Sequence, residues 1–180
     1  MASSLVDRVE TPSLGGWLAL TWGVFGFFML LANALIRLTP IAWEAVHGGL
    51  LAWWHWIVLA GWVLVMAYAE GYKGFQKRFS PRFAARAMYL AEAPSVGRAL
   101  LAPFFCMGLF HAKRRVIYAA WGVTVGVILL VIAVRQLAQP WRGIVDAGVV
   151  VGLAWGLIAC LGYVIQAVRR RPLPSGPEVP

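Results

Sequence analysis

An uncharged and mostly apolar run of about 20 residues, from Gly16 to Ile36, limits this chain more than any other feature. That length matches what an α-helix needs to cross the hydrocarbon core of a membrane. A signal peptide is the alternative, because Ala32-Asn33-Ala34 resembles a cleavage motif. The run is longer than the apolar region of about 7–15 residues found in signal peptides, and the tail before it is not net basic. We therefore expect a membrane-spanning helix.

The composition agrees with an integral membrane protein. Of the 180 residues, 61% are hydrophobic and 13% are charged, whereas soluble domains are nearer one half and one quarter. A chain of this size cannot hide such an excess inside a globule. This excludes a soluble globular enzyme, a disordered tail and a disulfide-linked secreted domain. Arg makes up most of the basic residues and Ala and Gly are abundant, which favours a GC-rich bacterial source.

The pattern predicts an all-α polytopic protein with four transmembrane helices in a bundle. We expect a cytoplasmic tail over 1–15, a first helical hairpin over 16–69, a basic cytoplasmic loop over 70–115, a second hairpin over 116–168 and a disordered cytoplasmic tail over 169–180. The second helix should begin near Pro40, because proline is tolerated in a first turn. Its embedded part should extend from about Gly48 to Tyr68, and the last two spans should cover 116–134 and 143–168.

The central loop is expected to hold two membrane-associated elements. Ser80-Pro81 is a good helix start, and the residues that follow predict a short amphipathic helix in the interface, ending at Ala93-Pro94. Residues 99–110 are apolar but too short to span, so they should be interfacial or re-entrant. The basic residues of the first part of the loop are candidates for contact with anionic lipid or a partner: Lys73, Lys77, Arg78, Arg82 and Arg86.

The basic residues also predict the orientation. On the inner side of the proposed topology lie Arg8, six basic residues of the central loop, three at 113–115 and three at 169–171, which makes thirteen. The outer side holds three: Arg37, Arg135 and Arg142. Cytoplasmic loops are enriched in Lys and Arg, so we expect both termini in the cytoplasm of a bacterial inner membrane. The net charge of +9 is interpreted in this way and not as a sign of nucleic-acid binding.

Glycines spaced four apart are expected to mediate helix packing. Small residues on one helix face let two backbones approach closely in lipid. The interpretation we favour is that these stripes hold the third and fourth spans together, and the alternative is a homo-oligomer interface. The hairpins also resemble each other at an offset of about one hundred residues, which indicates either a duplication or coincidence. The stripe residues are Gly122, Gly126, Gly148, Gly152 and Gly156.

Few ionisable residues fall inside the apolar runs, and such residues are costly in lipid. Glu44 and His47 share a helix face near the outer surface, and Asp146 could converge with them if the helix ends adjoin. This candidate polar cluster has one E-x-x-H pair where a di-iron bundle needs two, so we expect no metal and favour hydrated side chains paired with an arginine. His55 has no second histidine at its depth to complete a haem site, and Glu70 should form a salt bridge with the basic loop.

The sequence shows no catalytic or nucleotide-binding motif. We expect no cofactor and favour a non-enzymatic accessory, scaffold or subunit-like protein that acts through its helix faces and its basic loop. Its partners would be membrane lipids and either another membrane protein or further copies of itself. A small transporter or channel using Asn33, His55, Glu44 and Asp146 is the first alternative. A membrane enzyme with an outer Glu44, His47 and Asp146 site is the second.

Overall fold

The computed structural model describes residues 12–170 and 172–180, which form an all-helical structure without strands. Most of the predicted amino-terminal tail lies outside the described residues. The helices are α1 (Leu14–His47), α2 (Trp53–Met66), a π-helical segment (Ala67–Phe79), α3 (Ser80–Glu92), α4 (Val96–Leu100), α5 (Ala102–Met107), α6 (Arg114–Val134) and α7 (Trp141–Val168).

Helix α1 does not end before Pro40, where the sequence predicts a break. It continues for 34 residues to His47, and the N–H of the capping residue Gly48 donates to the Glu44 carbonyl at 2.8 Å. Gly49 follows with a φ of +70°, a conformation that glycine adopts without steric cost. Proline removes one helical hydrogen bond, and α1 tolerates that loss. Glu44 and His47 therefore lie at the end of the first helix instead of on the second.

The second helix is also longer than predicted. α2, the π-helical segment and α3 follow one another without a break, because Ser80 at the expected helix start has helical backbone angles. The predicted helix start at Ser80 and stop at Ala93-Pro94 match the bounds of α3, but α3 is continuous with the helix before it, which does not end at Tyr68. The π-helical segment has 13 residues, which is long for a conformation that usually occurs as single turns.

Helix α7 is at the centre of the packing. Its glycines Gly148, Gly152 and Gly156 contact Trp62, Glu70 and Phe75 in turn, so α2 and the π-helical segment run beside α7 in the same direction. Helix α1 runs the opposite way, because Ala45 near its end contacts Gly143 near the start of α7. The glycine stripe of α7 thus packs against the second helix and not against α6 as predicted.

A second layer covers the amino-terminal half of α1. Gly23 contacts the Cys106 thiol and Gly26 contacts the Pro103 ring, which brings α5 close to the α1 backbone. α3 closes the same end of the bundle. The core between these helices is formed by apolar side chains and includes Leu20, Phe27, Phe83, Leu90, Phe105 and Cys106. Residues 99–110 are therefore covered by protein on one side and divided between two short helices.

Three helices, α1, α6 and α7, are long and apolar enough to cross a membrane. The predicted second span has no single α-helix of that length, because α2 has 14 residues and continues as the π-helical segment. Helix α6 differs from the other two in that none of its residues is buried. Thus the only packed candidates among the three are α1 and α7.

The end of the chain, where the sequence predicts a disordered tail, contacts the helical body within the described residues. The Glu178 carbonyl accepts from the Lys113 N–H at 3.0 Å, and the Pro177 carbonyl accepts from Arg86 at 3.0 Å. An ion pair of 3.5 Å joins Arg82 and Glu178. These contacts hold the tail beside α3 and the start of α6.

Candidate functional site

The residues of the predicted polar cluster lie on two helix ends that adjoin, since Ala45 of α1 contacts Gly143 of α7, but they differ in exposure. Glu44 and His47 are exposed at the end of α1, and the His47 ring stacks on Trp43 with ring centroids 3.7 Å apart. Asp146 is buried on α7, with Arg142 Nε 3.8 Å from its carboxylate. Among the described residues, no three His, Cys, Asp or Glu side chains are grouped to hold a metal ion.

His55 has a structural role at the start of α2. Its Nδ1 accepts from the Ala52 N–H at 3.0 Å, which caps the helix. The ring stacks on Trp54 and meets Trp141 edge to face. Asn33, which the transporter alternative places with His55, instead accepts from Arg37 on the exposed side of α1. The proposed polar line through the bundle is therefore not continuous.

Glu70 is the carboxylate that the structure places differently from the sequence interpretation. It lies in the π-helical segment and packs on Gly152, where a Cβ atom would stand 2.9 Å from one carboxylate oxygen. The expected salt bridge with the basic loop is absent from the described residues. Lys73 lies over the Tyr68 ring at 4.7 Å and Lys77 over the Tyr72 ring at 5.3 Å. Both ammonium groups thus form cation–π contacts.

Two hydrogen bonds hold the second helix to α7 above and below Glu70. Trp62 Nε1 donates to the Val145 carbonyl at 3.2 Å, and Trp155 Nε1 donates to Gln76 Oε1 at 2.8 Å. Between them the glycines of α7 admit large side chains into direct contact with its backbone. This fixes the register in which Glu70 meets Gly152.

The five basic candidates of the central loop divide into three kinds. Lys73, Lys77 and Arg78 are exposed, and Arg82 is half-buried beside Glu178. Arg86 is 1% exposed, so it does not share a surface with the other four. The exposed residues remain available to lipid or a partner.

The Arg86 guanidinium is enclosed by backbone carbonyls. It donates to Phe105 at 2.7 Å, to Pro177 and Phe110 at 3.0 Å each, and to His111 at 3.1 Å, and it lies over the Phe105 ring. Burial lowers the pKa of Arg86 from its usual value, and the neighbouring Cys106 and Glu178 oppose that effect. Arginine suits this position because its planar group offers five donors in fixed directions.

Two placements were not predicted from the sequence: Arg86 is buried among backbone carbonyls, and Glu70 packs on the backbone of α7. Arg86 was predicted to contact anionic lipid or a partner, but α3 packs on several sides and buries it. A signal for Glu70 existed in the glycine stripe of α7, since a stripe predicts a close neighbour, but it does not identify that neighbour.

The glycines of α6 face open space. No atom of the described residues comes within 4 Å of a Cβ placed on Gly122 or Gly126. On another side of the helix, Val116 contacts Gly108, and Trp121 Nε1 donates to the Leu109 carbonyl at 3.0 Å. Trp22 of α1 similarly donates to the Leu100 carbonyl. The tryptophans of the two Trp-Gly-Val sequences, on α1 and α6, thus both donate to carbonyls of the 99–110 segment. Of the two glycines, Gly23 is covered by other residues and Gly122 is not.

Comparisons with protein-family models, with curated proteins and with solved structures found no match for this chain.

Proposed function

We propose that this chain is a non-enzymatic accessory protein of a bacterial inner membrane that binds a transmembrane helix of another membrane protein. The observation that carries the proposal is α6, which is apolar and long enough to span yet buries none of its 21 residues. In contrast, α1 and α7 both bury residues against other helices. A span that contributes little to its own fold is available for a partner.

The proposed docking surface is one face of α6, called here the glycine face. At 100° per residue its members lie within about 80° of one another around the helix. All are exposed. They are Arg115, Ala119, Gly122, Gly126 and Leu129. Glycines four apart allow a second helix to approach the backbone closely.

Charge favours a different protein over a second copy. Arg115 stands on the glycine face, and it forms no ion pair within the described part of the chain. In a symmetric dimer through this face, parallel helices would bring Arg115 close to its copy, and like charges repel. A partner helix with small residues in its middle and an acidic residue at its cytoplasmic boundary would fit both the glycines and Arg115.

The proposed topology has four membrane crossings, with α2 and the π-helical segment forming the second. Support comes from the thirteen-to-three distribution of basic residues and from the helix directions, since α1 runs opposite to both the second helix and α7. Both ends of the chain and the basic loop would then face the cytoplasm. The exposed Lys77 and Arg78, about two turns beyond Glu70, would lie nearest to anionic headgroups, which attract basic residues by about 1 kcal/mol each.

Photo-crosslinking in native membranes tests the proposal. A photoreactive amino acid replaces Leu129 on the glycine face, and Val131 on the opposite face serves as the matched control. We expect one discrete adduct from position 129 and none from 131, and we expect Gly122→Leu to abolish it. Mass spectrometry should locate the adduct in a transmembrane helix with the stated small and acidic residues.

Three outcomes would overturn the proposal. An adduct with twice the mass of this chain would indicate a second copy. Adducts with lipid alone at both positions would indicate that α6 faces only the bilayer. Equal protein adducts at 129 and 131 would mean that the glycine face is not the contact.

A further inference from the structure

Glu70 lies at the depth of the middle of α7. Its contact residue Gly152 is eleven positions after Trp141 and sixteen before Val168. At 1.5 Å per residue these distances are about 17 Å and 24 Å along the axis. Since α7 is long and apolar enough to cross a membrane, a carboxylate on Gly152 falls within the hydrocarbon region.

No described cation lies within ion-pairing distance of this carboxylate. On its own helix, Lys73 and Lys77 rest on tyrosine rings. On α3, the guanidinium of Arg82 pairs with Glu178 and that of Arg86 binds carbonyls. The neighbouring face of α7 consists of glycines and Trp155, and its closest charged residue in sequence, Asp146, is about 9 Å away along the axis.

A carboxylate without a cation is strongly disfavoured in hydrocarbon, whereas the neutral acid is tolerated. We propose that Glu70 is an intramembrane proton-binding site, in which the carboxyl group held on Gly152 carries its proton at neutral pH. The proton takes the place of the missing counter-ion. The site lies in a π-helical segment, and π-helical turns occur frequently at functional sites.

The hydrophobic reagent dicyclohexylcarbodiimide tests the proposal on the full chain in lipid nanodiscs. The O–H of a protonated carboxylic acid adds across one C=N bond of the reagent, and the product rearranges to a stable N-acylurea. Each modified site therefore gains the mass of one reagent molecule. At neutral pH we expect one adduct, on the peptide that contains Glu70. Labelling should slow as the buffer is made alkaline.

Two isosteric variants give the controls. Glu70→Gln should remove the adduct, and Glu44→Gln should leave it unchanged, because Glu44 is exposed at the end of α1. Infrared spectroscopy gives a second measurement that does not depend on reagent access. The wild type should show the carbonyl stretch of a neutral carboxylic acid, and Glu70→Gln should lose it.

The proposal is overturned if Glu70 stays unmodified and the neutral-acid band is absent at neutral pH. It is also overturned if Glu70 reacts faster with a water-soluble carbodiimide, since that result would place an ionisable carboxylate in contact with bulk water. Neither result bears on the partner proposed for α6, so the two proposals can fail independently.

Discussion

Glu70 packs directly on the backbone of Gly152, and one of its carboxylate oxygens stands 2.9 Å from where a Cβ atom of residue 152 would lie. A glycine at this position is what lets the second helix approach α7 with an acidic side chain between them. Gly122 on α6 offers the opposite situation, because no described atom would contact its Cβ. Gly152 therefore serves packing within the chain, whereas Gly122 is open to packing against another molecule.

Replacing Gly152 by leucine should destabilise the fold. The added side chain would collide with Glu70, and overpacking of this kind costs about 1–3 kcal/mol or more. Thermal unfolding in detergent micelles would measure the loss. Gly122→Leu is the control and should unfold at the wild-type temperature while losing the crosslink from position 129. Equal destabilisation by both substitutions would mean that α6 packs within its own chain.

Replacing Arg86 by lysine should also lower stability. Lysine offers a single ammonium group where arginine serves four carbonyls, and each buried acceptor left without a donor costs about 1–3 kcal/mol. The unfolding temperature should fall clearly. Arg82→Lys provides the comparison and should stay within about 0.5 kcal/mol of the wild type, because the contact of Arg82 with Glu178 is partly exposed. An Arg86→Lys variant with the wild-type unfolding temperature would argue against the four buried hydrogen bonds of Arg86.

The two cysteines should resist thiol reagents until the protein unfolds. Cys106 is 1% exposed and Cys160 is fully buried. Burial raises the pKa of Cys106 to about 12, partly offset by Arg86, so the reactive thiolate is scarce near neutral pH. Reaction with a maleimide that becomes fluorescent on binding should show a delay and then a rise at the unfolding temperature. Rapid labelling of the native protein would show that α5 does not stay packed on α1.

Single cysteines added at exposed positions should report the membrane orientation, because the native thiols are silent. A membrane-impermeant maleimide applied to intact cells should label Gln136→Cys, between α6 and α7. Arg78→Cys should react only after the membrane is permeabilised. Both positions are exposed, so differences in reaction report sidedness. Labelling of Arg78→Cys from outside would reverse the topology inferred from the basic residues.

The all-helical class and the three long apolar helices could be predicted from the sequence, because both depend on local composition. The limits of α6 are also close to prediction, since charged residues flank the run. The helix breaks were harder to predict. Pro40 is a strong local signal, yet it lies inside α1, where tertiary packing outweighs the cost of a lost hydrogen bond. Ser80-Pro81 begins α3 as predicted, but the preceding helix runs into it without the expected break.

The contacts of the candidate sites depend on which helices become neighbours. The glycine stripe of α7 correctly predicts that another helix packs closely on it. The glycines do not indicate whether that helix is α6 or the second helix. Arg86 follows the same spacing as Arg78 and Arg82, and its burial arises from α5 and the chain end, which are distant in sequence. Glu70 was assigned a salt bridge from its proximity to lysines, whose ammonium groups turn to tyrosine rings instead.

The central claim is that the glycine face of α6 is not covered by its own chain. A nitroxide spin label on Gly126→Cys, in nanodiscs that each hold one purified chain, measures this most directly by its mobility and its accessibility to dissolved oxygen. The account predicts a mobile, oxygen-accessible label, with a label on Gly152→Cys as the immobile reference if that variant folds. An immobile and oxygen-protected label at position 126 would contradict the account, because α6 would then pack within the monomer.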